Sequence, residues 1–99
     1  MAKKIENRIE ITDAKFVEDD SNHIAFAIAV DGVVVHRTLE WIDEDRDLVS
    51  KDSHLINSGS DLKKAVTEAL NEDEIEVDEI LEAVFGKLLE AVEELKETA

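Results

Sequence analysis

Two periodicities divide the chain: apolar residues alternate by twos up to about residue 42 and recur at helical spacing from about residue 60. Between Arg8 and Glu18, Ile9 and Ile11 share one phase while Ala14 and Phe16 fall in the other, which predicts a strand bulged near Thr12 and Asp13. From Ile24 to Val30 the alternation is strict. Ile24, Phe26, Ile28 and Val30 lie on one face and Ala25, Ala27 and Ala29 on the other. Asp31-Gly32 is a two-residue hairpin signal of type I′. A return strand from Val33 to about Ile42 would then set Val30 opposite Val33, Ile28 opposite Val35, Phe26 opposite Arg37 and Ile24 opposite Leu39. That register leaves Arg37 on the core face, either as an ion-paired rim residue or as the mark of a one-residue slip.

In the second half, Leu62, Ala65, Val66, Ala69 and Leu70 make one stripe of a short helix over about 60–71, with Ser60 as its expected N-cap. The polar stretch between Trp41 and Gly59 has room for a single helical turn, and Leu48, Val49, Leu55 and Ile56 can pin it to the core. A last helix over about 78–96, with Asp78 as its expected N-cap, carries Ile80, Leu81, Val84, Phe85, Leu88, Leu89, Ala91, Val92 and Leu95. These residues span an arc of about 180°, wider than one sheet face needs. Strands over about 8–18, 23–30 and 33–42 followed by two helices predict one α+β domain: a three-stranded antiparallel meander with both helices on one face, in two layers.

The wide arc has a functional consequence. Val77, Leu81, Val84, Leu88, Ala91 and Leu95 step alternately by four and three residues, a heptad seam flanked by Ile80, Phe85, Leu89 and Val92. One side could cover the sheet while Leu81, Val84, Phe85, Leu88, Leu89, Val92 and Leu95 meet a second copy, giving a homodimeric assembly module. Alternatively, the first helix and the loop residues Leu48 and Leu55 cover everything.

Charge changes the picture most. The 99 residues contain 26 Asp and Glu against 11 Lys and Arg, a net charge of −15. Such a field repels nucleic acid and anionic membranes and attracts basic protein surfaces or cations. With 43% hydrophobic residues in ordered patterns, the chain is expected to fold rather than behave as an acidic disordered tail. No cysteine is present, so disulfides and thiolate metal sites are excluded. No apolar run approaches the ~18 residues of a membrane span, and a soluble, cytoplasmic protein is expected.

The acids fall into clusters. Glu18, Asp19 and Asp20 occupy the first turn; Glu40, Asp43, Glu44, Asp45 and Asp47 follow the third strand; Glu72, Asp73, Glu74, Glu76, Asp78, Glu79 and Glu82 lead into the last helix. Asn71 to Glu82 holds no Lys or Arg, and like charges at this density oppose folding, so a role outside folding is expected of them. Carboxylates on successive helical turns lie about 5–6 Å apart, the same order as the ~3.4 Å spacing of phosphates along a DNA strand. The second and third clusters are therefore the candidate partner-binding acids. The partner class they imply is the basic surface of a nucleic-acid-binding protein, by analogy with small acidic DNA-mimicking inhibitors of phage or mobile-element type. A plain solubility surface or adaptation to high salt accounts for the same charge without a partner.

Catalysis finds no constellation. His23, His36 and His54 lack a helical ligand spacing and read as surface histidines, with His36 on the face opposite the core. Ser50, Ser53 and His54 beside Asp52 are local neighbours, whereas a hydrolytic triad converges from separate elements. Three glycines, Gly32, Gly59 and Gly86, build no phosphate loop. Asp43, Asp45 and Asp47 match the first three ligand positions of an EF-hand, but Leu48 stands at the turn glycine and His54 at the bidentate glutamate. Neither enzyme, metal nor cofactor is expected.

Overall fold

Strict alternation in the first half builds a meander. The computed structural model describes residues 5–18, 22–49, 53–71 and 75–98, apart from the Glu6 side chain. After a 3-10 turn over Ile5–Asn7 come β1 (Ile9–Phe16), β2 (His23–Val30) and β3 (Val33–Trp41), in sheet order β1-β2-β3, both pairs antiparallel. Three helices follow: α1 (His54–Asn57), α2 (Gly59–Leu70) and α3 (Val77–Thr98). This is the expected α+β arrangement, with the possible single turn present as α1. No helix among the described residues is long and apolar enough to cross a membrane.

Backbone geometry accounts for the β1 bulge and for the hairpin turn. The β1 bulge falls where the phase change places it: Thr12 pairs with Ala27 and Lys15 with Ala25, while Asp13 takes a left-handed φ of 54°. Ile9 on one side of the bulge is fully buried, and Ala14 and Phe16 beyond it pack on the same core. The hairpin turn has φ of 52° at Asp31 and 85° at Gly32, the two positive values that type I′ demands.

The β2–β3 register departs from the expectation. Val30 faces Val33 and Ala29 faces Val34, but Ile28 faces His36, because a second bulge takes up Val35. Every later pair slips by one, and since side chains alternate, each changes face. Arg37 thus leaves the core face, opposes Ala27 and approaches Asp13 at 3.3 Å. Leu39 opposes Ala25 and is 41% exposed. His36, expected away from the core, moves to the helix-facing side and is half-buried. Glu40 swings inward opposite Ile24 and becomes fully buried.

The helices close the core over the inner face. Ile24, Phe26 and Ile28 of β2 meet Leu55 of α1, Leu62 and Val66 of α2, and Ile80, Val84, Leu88 and Val92 of α3. The expected caps move: Ser58, not Ser60, is the N-cap of α2, and Asp78 lies inside the first turn of α3. Neither shift alters the stripe that each helix buries. On α3 the expected self-association surface is largely consumed. Val84, Leu88 and Val92 are 0% exposed within a single chain, and Leu81, Phe85 and Leu95 pack half-buried against the core. The physical reason is two-sided cover, because α3 packs on β1 and also against α2. Only Leu89 of that set stands out, at 53% exposure.

Candidate functional site

The outward side of α3 carries a row of exposed acids. At 100° per residue Glu79, Glu82, Glu90, Glu93 and Glu97 fall within an arc of about 80°, opposite the buried stripe of Ile80, Val84, Leu88 and Val92. All five are exposed, as are Glu76 and Asp78 at the start of the helix. A helix of 22 residues extends about 33 Å, so the acids form a rail along one side of the protein. Leu89 sits at its edge in a shallow depression lined by Glu90, Glu93, Glu94 and Glu97.

The loop after β3 joins this rail. Asp43 Oδ1 accepts from the backbone N–H groups of Asp45 and Asp47, both at 2.9 Å, and Ile42 bridges to Leu48 to close the turn. Arg46, at a left-handed φ of 66°, lays its guanidinium 4.6 Å over the ring of Phe16. Carboxylate oxygens of Asp43, Asp45 and Asp47 thereby come within 4.8 Å of one another, with Glu44 exposed beside them. The ammonium of Lys96 connects loop and helix, donating to Asp47 Oδ1 at 2.7 Å and lying 4.0 Å from Glu93. Its pKa is raised above the ordinary 10.5, first by the hydrogen bond to Asp47 and then by the fields of Asp47, Glu93 and Asp43 acting against desolvation. The Asp43–Asp47 loop therefore meets the C-terminal end of α3, while Glu76, Asp78, Glu79 and Glu82 of the third cluster lie at its other end, with Glu82 about 21 Å along the axis from Lys96.

Other expected members do not join it. Glu72, Asp73 and Glu74, like Asp19, Asp20, Ser50 and Asp52, lie outside the described residues. Glu40 does not belong to the surface, because the register slip buries it. Its Oε2 accepts from Ser53 Oγ at 2.7 Å and from the Leu55 N–H at 3.2 Å, while Oε1 accepts from the N–H groups of His54 at 3.0 Å and Trp41 at 3.1 Å. This carboxylate caps α1 from below. Ser53, the N-cap, adds its own bond from the Ile56 N–H at 3.2 Å. The Ser53 hydroxyl is thus directed to Glu40 and not to His54.

A second constellation escaped the sequence reading. His23 and His54, expected as separate surface groups, bring their Nε2 atoms to 3.2 Å, and Trp41 packs on both rings. Its ring centroid lies 4.1 Å from that of His23 and 5.2 Å from that of His54. The missing signal was the bulge. A hairpin counted back from Asp31-Gly32 without it sets His23 opposite Glu40, whereas one extra residue sets it opposite Trp41. Comparison with protein-family models, with curated proteins and with solved structures finds no match for this chain.

Proposed function

We propose that this is a non-enzymatic interaction protein of the cytoplasm whose acidic rail occupies a basic, normally nucleic-acid-facing surface of another protein, in the manner of inhibitors that imitate DNA phosphates. The observation that carries the reading is convergence. Asp43, Asp45 and Asp47 meet the C-terminal end of the α3 rail through Lys96, so carboxylates from two elements are presented on one side. Among the described residues the rail acids Glu79, Glu82, Glu90 and Glu97 have no ion-pair partner, and beyond the first turn, where Glu79 favours the helix dipole, no ion pair offsets their mutual repulsion. A basic groove shaped for a strand of phosphates gains from such a row by counter-charge and by steered encounter.

The test replaces Glu79, Glu82, Glu90 and Glu93 together by Gln. The folded state should keep its stability or gain slightly, because like-charge repulsion along the helix is relieved. Immobilised native protein, challenged with host extract at low salt, should retain a basic nucleic-acid-binding protein that elutes as salt rises and that duplex DNA or RNA displaces. The fourfold variant should lose that capture, most clearly at low ionic strength, where the Debye length exceeds ~8 Å. Equal capture by both proteins across the salt range would reject the proposal and leave the charge as a solubility device.

A further inference from the structure

The paired imidazoles at the end of the sheet are organised beyond what packing requires. Each ring hangs from a backbone position fixed by its own contacts. His23 is the first residue of β2, paired with Trp41, and the neighbouring Asn22 carbonyl accepts from the Ile42 N–H at 2.8 Å. His54 is the first residue of α1, and its N–H is held by the buried Glu40 carboxylate at 3.0 Å. Trp41 then restricts both rings from the side, with interplanar angles of 37° to His23 and 16° to His54. Two ring nitrogens from separate elements are thereby held side by side.

Their separation is informative. Zinc binds imidazole nitrogen at about 2.0–2.1 Å, and two such bonds at a tetrahedral angle hold their nitrogens about 3.3–3.4 Å apart. The observed 3.2 Å between the Nε2 atoms is close to that edge. The same distance suits an Nε2–H···Nε2 hydrogen bond in the metal-free protein. For metal entry the donating ring moves its proton from Nε2 to Nδ1, and the rings turn so that both Nε2 lone pairs meet at the ion. Imidazole ligands suit zinc, copper and nickel, whereas calcium and magnesium take oxygen. Half-burial of His54 gives access from solvent.

We propose that His23 and His54 together form a binding site for a divalent late transition metal ion, of the zinc, nickel or copper class. The site is separate from the acidic rail and does not rest on the function proposed for it. Glu40 is a positioning residue here, because it sets the start of α1 and with it the place of His54.

The chain supplies its own reporter, since Trp41 is its only tryptophan and touches both rings. Nickel chloride titrated into chelator-treated full-length protein should quench tryptophan fluorescence saturably. EDTA should reverse the quenching and zinc should compete for it. Loss of one ligand should cost at least the ~10-fold that loss of a supporting outer-shell contact typically costs, so His54→Gln and His23→Gln should each weaken binding by that much or more. His36→Gln and Asp45→Asn should leave the curve unchanged, because it reads quenching at the His23–Trp41–His54 cluster, to which neither residue belongs. Circular dichroism establishes that each variant is folded; if His23→Gln is not, the His54→Gln comparison decides the matter alone. Unsaturable quenching, or a curve that survives His54→Gln, would overturn the site.

Discussion

Carboxylates in two regions of this protein have opposite fates, although both begin as glutamates in amphipathic segments. Glu40 is fully buried and accepts four hydrogen bonds, so its charge organises the entry into α1. Along α3, Glu79, Glu82, Glu90, Glu93 and Glu97 stand in solvent, and Lys96 beside Glu93 is the cation that ion-pairs with one of them among the described residues. A buried anion without donors would cost several kcal/mol, so burial and the surrounding hydrogen-bond donors come together at Glu40. On the helix, water supplies the donors. The residue type does not decide between internal architecture and an external surface; the facing direction and the donors within reach do.

The sharpest way to break this division is on α3 itself, where one step along the chain separates inside from outside. Leu88 is 0% exposed and Leu89 is 53% exposed. Leu88→Asp buries an unpaired charge and should remove several kcal/mol, enough to unfold a small domain of ordinary stability. Leu89→Asp extends the acidic rail and should move stability by less than about 0.5 kcal/mol. Urea denaturation followed by circular dichroism measures both. A folded Leu88→Asp protein of native stability would return that side of the helix to the surface and revive the second-copy seam.

Next in size is the contrast between the two kinds of glutamate. Glu40→Ala strips the acceptor from the Ser53 hydroxyl and from three backbone N–H groups, and should cost about 3–5 kcal/mol, the range for breaking a buried charged network. Near-ultraviolet circular dichroism of Trp41 should change with it, because the indole is packed beside the capped turn. Glu82→Gln should fall within about 0.5 kcal/mol of native and on the stable side. Equal sensitivity of the two positions to denaturant would remove the distinction.

Legibility in the sequence follows the same line. Strand and helix identities, the bulge at Asp13, the type I′ turn and the buried stripe of α3 were all readable, because each is a local pattern with one period. The β2–β3 register was not, since Val33, Val34 and Val35 are three alike residues that can absorb an extra position without disturbing the apolar pattern. That single slip carried Arg37 and Glu40 to the opposite faces and hid the His23–Trp41 pairing. The acids of α3 could be placed on one side from helical geometry alone. Their meeting with the Asp43–Asp47 loop is a long-range fact, and no local pattern announces Lys96 as the residue between them. The width of the α3 arc left cover within the chain and a second copy both open, and packing on β1 and α2 buries Val84, Leu88 and Val92 within one chain.

The smallest expected effect concerns the cation that joins loop and helix. Lys96 donates to Asp47 and stands beside Glu93, and its pKa is raised above 10.5. A lysine held charged by its folded partners contributes stability that is fully present below its unfolded pKa and fades as pH rises through the folded value. Native protein should therefore exceed Lys96→Met in stability by a margin that is constant through neutral pH and narrows on the alkaline side of 10.5. Added salt should narrow it as well, because the pair is exposed to solvent. Urea denaturation of both proteins at neutral and strongly alkaline pH measures the margin. Removing this cation also leaves Asp43, Asp47 and Glu93 uncompensated, so the variant should bind a basic partner at least as tightly as native protein while being less stable. A margin that widened with alkali would mean that Lys96 is not the link between the two acidic segments, and the rail would end at the helix.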